Sequence, residues 1–195
     1  RREGKGGGGP VVLAALAANA GIFAAWQLAR TGRGHAGLLR FLETHALCSY
    51  AHLRRGLAHT LVTSTASHQG AVHLAFNAYG LSLFGGLAAE YLSSRETAAL
   101  LVLSGAGASM SHVLCHPRNP VLGASGALMG IVAADGFLEP EHAFRMVLPL
   151  PGLTLTMLQV ADMTVLANLA GFLLFRRWGR WGSVAWASHL GGTGV

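Results

Sequence analysis

The sequence predicts an all-α, polytopic membrane protein, and three observations carry that prediction. Hydrophobic residues fill 52% of the 195 positions and charged residues only 11%, with a mean hydropathy of +0.45. Soluble domains carry about 25% charged residues. The apolar residues fall into successive stretches, most of them long enough to cross about 30 Å of hydrocarbon. Arginines flank those stretches, and Trp26, Trp178 and Trp181 stand near their ends, as interfacial anchors do. The net charge of +6 rests on arginine with a single lysine and includes no polybasic cluster. It therefore reads as membrane-flanking charge, and no nucleic-acid partner is expected. Cys48 and Cys115 show neither disulfide nor metal spacing.

Six apolar segments are expected, in order. Residues 1–9 form a Gly-rich linker with Gly6–Gly9 as its flexible part, and residues 10–195 form one core. Pro10–Leu28 is the first span. Arg30–Gly70 is a long connection in which Leu38, Leu39, Phe41, Leu42, Ala46 and Leu47 recur at helical spacing. That pattern suits a helix lying in the membrane interface or packed on the protein as a loop helix. Ala71–Ala89 is the second span, closed by Gly86 and Glu90 and followed by a turn at Ser93–Ser94. Thr97–Cys115 is the third, rich in small residues and ended by Pro117 and Pro120. The fourth, Val121–Leu138, is short. After a loop with Pro149, Pro151 and Gly152, the fifth covers Thr156–Phe175 with Gln159 and Asp162 near its start. Arg176, Arg177, Trp178, Arg180 and Trp181 then form an interfacial belt. A sixth segment begins at Gly182 and stops at Val195, too short to span, so the last helix is expected to be truncated.

The candidate chemistry centres on Val121–Gly130, VLGASGALMG. Gly126 and Gly130 are one turn apart and form a small-xxx-small groove for a neighbouring helix. Ser125 inside this run is by itself only a small residue at a helix interface. It does not belong to the soluble hydrolase elbow G-x-S-x-G, because Ala127 stands where that motif needs its last glycine. Other segments change its meaning. A hydroxyl nucleophile needs a base within reach, and a tetrahedral oxyanion needs preorganised donors. His189 of the sixth segment supplies the base. His73 and Asn77 of the second span are i and i+4, share a helix face, and supply donors beside the Ser125 backbone N–H. Polar groups at such depth are costly and mark bundle interiors or functional sites. No carboxylate is placed to orient His189, since Asp135 and Asp162 lie near segment ends, so a Ser–His dyad is expected. His112 and His116 have metal-ligand spacing but no further ligand nearby, and neither a metal nor a cofactor is expected.

These motifs resemble the rhomboid intramembrane serine proteases, from about Asn19 onward. The resemblance rests on His73 and Asn77 in HLAFN, Gly123 and Ser125 in GASG, His189 and Gly192 in SHLGG, and the GxxxE of Gly86 and Glu90. It implies a six-helix core around a water-filled cavity. There Ser125 attacks a transmembrane substrate that enters sideways from the lipid bilayer. HTLVTSTASH (His59–His68) and GASGAxM look more like the mitochondrial, presenilin-associated branch and its plant and algal relatives. That implies the mitochondrial inner membrane, with a plastid or other organelle membrane as the alternative. Ala66 departs from the family's usual aromatic in its F-x-H element. Met129 stands where bacterial members place a tyrosine.

Two other classes compete. A rhomboid-fold pseudoprotease would bind membrane clients without cleavage, but such chains usually lose the serine or histidine. A transporter would use His112, His116 and Asp162 as a relay and spread polar residues through several spans. Here they gather where a hydrolytic site needs them. The connections after the first, third and fifth spans hold nine of the 14 basic residues. The positive-inside bias therefore turns that side toward the matrix.

Overall fold

Proline has no N–H to donate and a preset φ, so it is accommodated in the first turn of a helix. In the computed structural model Pro10 opens α1 (Gly9–Ala29) in this way. The structure describes residues 6–32, 34–145, 152–175 and 186–194. The expected belt from Arg176 to Trp181, with Pro149, Pro151 and the start of the sixth segment, lies outside them.

The first connection carries α2 (Ala36–His45), α3 (Tyr50–Arg54), α4 (Thr60–Thr63) and a 3₁₀ turn at Ser64–Ala66. The apolar stripe of α2 packs Leu42 and, just beyond it, Ala46 onto Trp26 and Ala29 at the end of α1. Ser49 caps α3 by accepting the His52 N–H at 3.2 Å. Next come α5 (Ala71–Tyr91) and α6 (Ser94–Cys115), the latter opened by a reciprocal capping box between Ser93 and Glu96. Then follow α7 (Ser125–Leu138), α8 (Met157–Phe175) and α9 (Trp186–Thr193). Among the described residues four helices, α1, α5, α6 and α8, are long and apolar enough to cross a membrane. Leu13, Val72, Phe76, Leu114 and Phe137 face outward, while Asn19, Asn77, Ser104, Ser109 and Asn168 are buried. This polarity suits a hydrocarbon solvent. The chain is a mostly helical, multi-pass membrane protein.

The short α7 is the hub, packed against α5, α6, α8 and α9. Its Ile131 joins Val12 of α1 and Leu81 of α5, while Leu128 and Val132 meet Leu87, Met157 and Ala161. The Gly126–Gly130 groove admits two neighbours. A methyl at Gly126 would lie 2.2 Å from the Ala108 side chain of α6, and one at Gly130 would lie 2.0 Å from Ser104 Oγ. On α9, a methyl at Gly192 would lie 1.9 Å from the Gly126 carbonyl oxygen. Backbone contact this close requires glycine on both helices.

Three details differ from expectation. The fourth helix starts at Ser125, not Val121, because Val121 is used in an antiparallel bridge to Cys48, with N–H···O distances of 3.0 and 2.8 Å. Cys48 is fully buried there, and burial pushes its thiol pKa up, so it serves packing. The loop before α8 contains a hairpin pairing Ala143–Arg145 (β1) with Thr154–Thr156 (β2), too short for alternation to show in the sequence. Gly6–Gly8, read as part of a flexible linker, lie on the α5–α6 turn. Gly6 N–H donates to the Glu90 carbonyl at 3.0 Å and Gly7 N–H to the Leu92 carbonyl at 3.1 Å.

Candidate active site

Ser125 is the first residue of α7, and the chain reaches it through a fixed turn. Gly123 has φ +114°, a region that side-chain-bearing residues avoid. Its N–H donates to the Ser64 carbonyl at 2.9 Å, and the Ala124 N–H donates to His68 Nε2 at 3.3 Å. His68 lies in the loop before α5, fully buried; that burial, with the nearby His73, lowers its pKa to about 4. A neutral ring with a free Nε2 lone pair is what the Ala124 N–H requires. Ala124, at the N-cap, offers no side-chain acceptor. The leading N–H groups of α7, that of Ser125 included, are beyond reach of intrahelical carbonyls and carry the positive end of the helix dipole.

The structure brings His189 to Ser125. On α9 its Nε2 stands 2.9 Å from Ser125 Oγ, and Trp186 one turn earlier meets the ring edge-on. Its Nδ1 is 2.7 Å from Oδ1 of Asn168 on α8. As expected, the group at Nδ1 is not a carboxylate; it is the Asn168 amide, which the sequence did not single out. Asn168 Nδ2 donates to the Thr164 carbonyl at 2.8 Å and lies 3.7 Å from Met129 Sδ. Met129 thus touches this partner from one turn beyond Ser125.

His73 and Asn77 enter from α5. The His73 ring packs on the turn before Ser125, so closely that a methyl at Gly123 would be 2.7 Å from His73 Cε1. It meets the His68 ring edge-on at 4.9 Å between centroids. Asn77 is buried; its Nδ2 donates to the His73 carbonyl at 2.9 Å, and its Oδ1 has no partner among the described residues. One Nδ2 hydrogen remains uncommitted. Neither side chain hydrogen-bonds Ser125 or His189 in this unliganded arrangement. Ala66 borders a mostly apolar cavity of about 400 Å³ beneath the turn, lined also by Asn19, Val62, Leu81, Leu101 and Ala127. His112 and His116 pair their rings at 5.1 Å at the end of α6 without a hydrogen bond to the site.

Sequence reasoning did not single out two of these residues. His68 is legible as the histidine of the F-x-H element. Asn168 carries no motif, and a lone amide in an apolar helix gives no spacing to read.

The arrangement can be compared with known proteins. A family model for the Rhomboid domain matches residues 55–195. Rhomboid protein 1, mitochondrial, of Saccharomyces cerevisiae is 31% identical over 192 residues, covering 94% of this chain and 50% of that protein. RHOMBOID-like protein 12, mitochondrial, of Arabidopsis thaliana is 26% identical, with 95% of this chain and 56% of that protein covered. Presenilin-associated rhomboid-like protein, mitochondrial, of Rattus norvegicus is 27% identical, with 93% and 45% covered. The chain spans about half the length of the curated relatives it matches. No solved structure matches it. The matched region runs from the end of α3 through α9 and so contains every helix that contributes a side chain to the site; by that extent of agreement the chain belongs to the rhomboid family.

Proposed function

We propose that the chain is an intramembrane serine endopeptidase that cleaves transmembrane segments. The observation that carries this reading is the 2.9 Å contact between His189 Nε2 and Ser125 Oγ. His189 takes the Ser125 proton as Oγ attacks the scissile carbonyl carbon. The oxyanion of the tetrahedral intermediate is held by the Ser125 N–H, His73 and the free Nδ2 hydrogen of Asn77. His189 then gives the proton to the leaving amine, and water hydrolyses the acyl-enzyme by the same route. α7 has 14 residues, a rise of about 21 Å that falls short of the ~30 Å hydrocarbon layer. The helix therefore cannot reach both interfaces, which suits a nucleophile at its N-terminus set below one of them. The relatives named mitochondrial support placement in the mitochondrial inner membrane.

The test is reconstitution in liposomes with a transmembrane reporter. Ser125→Ala and His189→Ala each abolish cleavage, and the double variant is no worse than either, because groups acting as one unit lose their effect together. Turnover by Ser125→Ala above the uncatalysed background removes the serine from this role. Reporter capture without cleavage by the unaltered chain would favour client binding.

A further inference from the structure

We propose that Asn168 of α8 is the positioning residue for His189, completing a Ser125–His189–Asn168 relay across α7, α9 and α8. The inference rests on the hydrolase reading above and adds a group which that reading does not require.

Donor and acceptor inventory fixes the arrangement. The Thr164 carbonyl can only accept, so the Asn168 atom 2.8 Å from it is the nitrogen. The oxygen of the amide then faces His189 Nδ1 at 2.7 Å. An amide oxygen also only accepts, so Nδ1 carries the hydrogen. Nε2 keeps its lone pair, and it is Nε2 that stands 2.9 Å from Ser125 Oγ. The tautomer needed for a general base follows from a backbone carbonyl two contacts away. Burial makes the choice costly to reverse, since Asn168 is 5% exposed and a flipped amide would set its nitrogen against Nδ1–H and its oxygen against the Thr164 carbonyl. Met129 Sδ lies on the nitrogen side of the amide, and a thioether sulfur is a weak acceptor, in agreement with that assignment.

The experiment compares Asn168→Leu and Asn168→Asp in the full chain. The first readout is the rate at which a fluorophosphonate probe labels Ser125, which needs an activated serine but no transmembrane substrate. The second is kcat, KM and the pH profile on the reporter. Asn168→Leu slows labelling and lowers kcat by about 10–100-fold with KM unchanged, the cost seen for groups that orient metal-bound histidines through the second ring nitrogen. Asn168→Asp restores most of the rate. Its carboxylate stabilises the protonated imidazole, so the acid limb, where activity falls as the base protonates, moves to higher pH. His73 also acts on the charge of His189 and is unchanged in both variants, so the difference between them isolates position 168. Wild-type labelling and kcat in Asn168→Leu overturn the proposal, as does equal loss in both variants with the acid limb in place. If the unaltered chain is neither labelled nor cleaves the reporter, the hydrolase reading fails and takes this inference with it. A labelled wild type with an indifferent Asn168→Leu sinks the relay alone.

Discussion

His73 and Asn77 illustrate how two side chains one helical turn apart reach one site by different means. His73 is exposed and touches the turn before Ser125, whereas Asn77 is buried and already tied to the His73 carbonyl. That tie fixes the amide and leaves one hydrogen, which under the proposed mechanism meets the oxyanion and contributes most in the transition state. Asn77→Ala accordingly lowers kcat by a factor on the order of 10²–10³ with little change in substrate binding, as for other side-chain oxyanion donors. His73→Ala acts in the same direction. Steady-state kinetics in liposomes check this, and an effect confined to KM would make both residues docking or packing groups. Ser125, His189, His73 and Asn77 stand out in the sequence as polar residues within apolar runs, in motifs that resemble the family's; the structure sets His189 on Ser125, while His73 and Asn77 hydrogen-bond neither of them. Asn168 does not stand out, since its partner is 21 residues away on another helix. Gln159, which does stand out in the same span, serves the start of α8 instead, its Oε1 accepting the Thr156 N–H at 2.9 Å.

The helices were legible wherever hydrophobicity alone decides them, as in α1, α5, α6 and α8. Boundaries failed where a local contact competes. Val121–Ala124 is apolar enough to read as helix, but the Cys48 bridge and the Ser64 carbonyl hold Val121 and Gly123 out of the helix, and Gly123 permits the turn. This delay places Ser125 at the first position of α7, where the N–H groups are free. The Gly126–Gly130 groove was legible as a pattern that admits a neighbouring helix. α9 fills it, and α6 shares it through Ser104 and Ala108. Both sides of the groove are therefore closed. Overpacking a core costs about 1–3 kcal/mol even for added methylenes, and here the obstacles include the Gly192 carbonyl, 2.7 Å from a methyl at Gly130. Gly126→Leu and Gly130→Leu should each abolish cleavage and fluorophosphonate labelling while Ser125 and His189 remain in the chain. Full activity of either variant in detergent would show that the catalytic helices do not depend on meeting there.

The orientation of the molecule follows from linking charge to the site. Three contacts tie the first connection to the approach to Ser125: the Cys48–Val121 bridge, the bond from Gly123 N–H to the Ser64 carbonyl, and that from Ala124 N–H to His68. The site therefore opens on the face that carries the first connection. Among the described residues that face carries Arg30, Arg40, Arg54, Arg55 and Arg118, and sequence order alone assigns it Arg33, Arg176, Arg177 and Arg180 as well. The opposite face has Arg95 and Arg145 among the described residues, offset by Glu90, Glu96, Glu139 and Glu141, and sequence order alone assigns it Arg1, Arg2 and Lys5. Asp135, near the end of α7, is fully buried and offsets nothing at the surface. The positive-inside bias predicts that the arginine-rich face, and the proposed site with it, turns toward the matrix. Arg54 is exposed at the end of α3 and makes a suitable reporter. In a chain carrying Cys48→Ala and Cys115→Ala, Arg54→Cys should resist an impermeant maleimide in intact mitoplasts and react once the inner membrane is permeabilised. Reaction before permeabilisation reverses the orientation and places the arginines among the lipid head groups of the opposite leaflet.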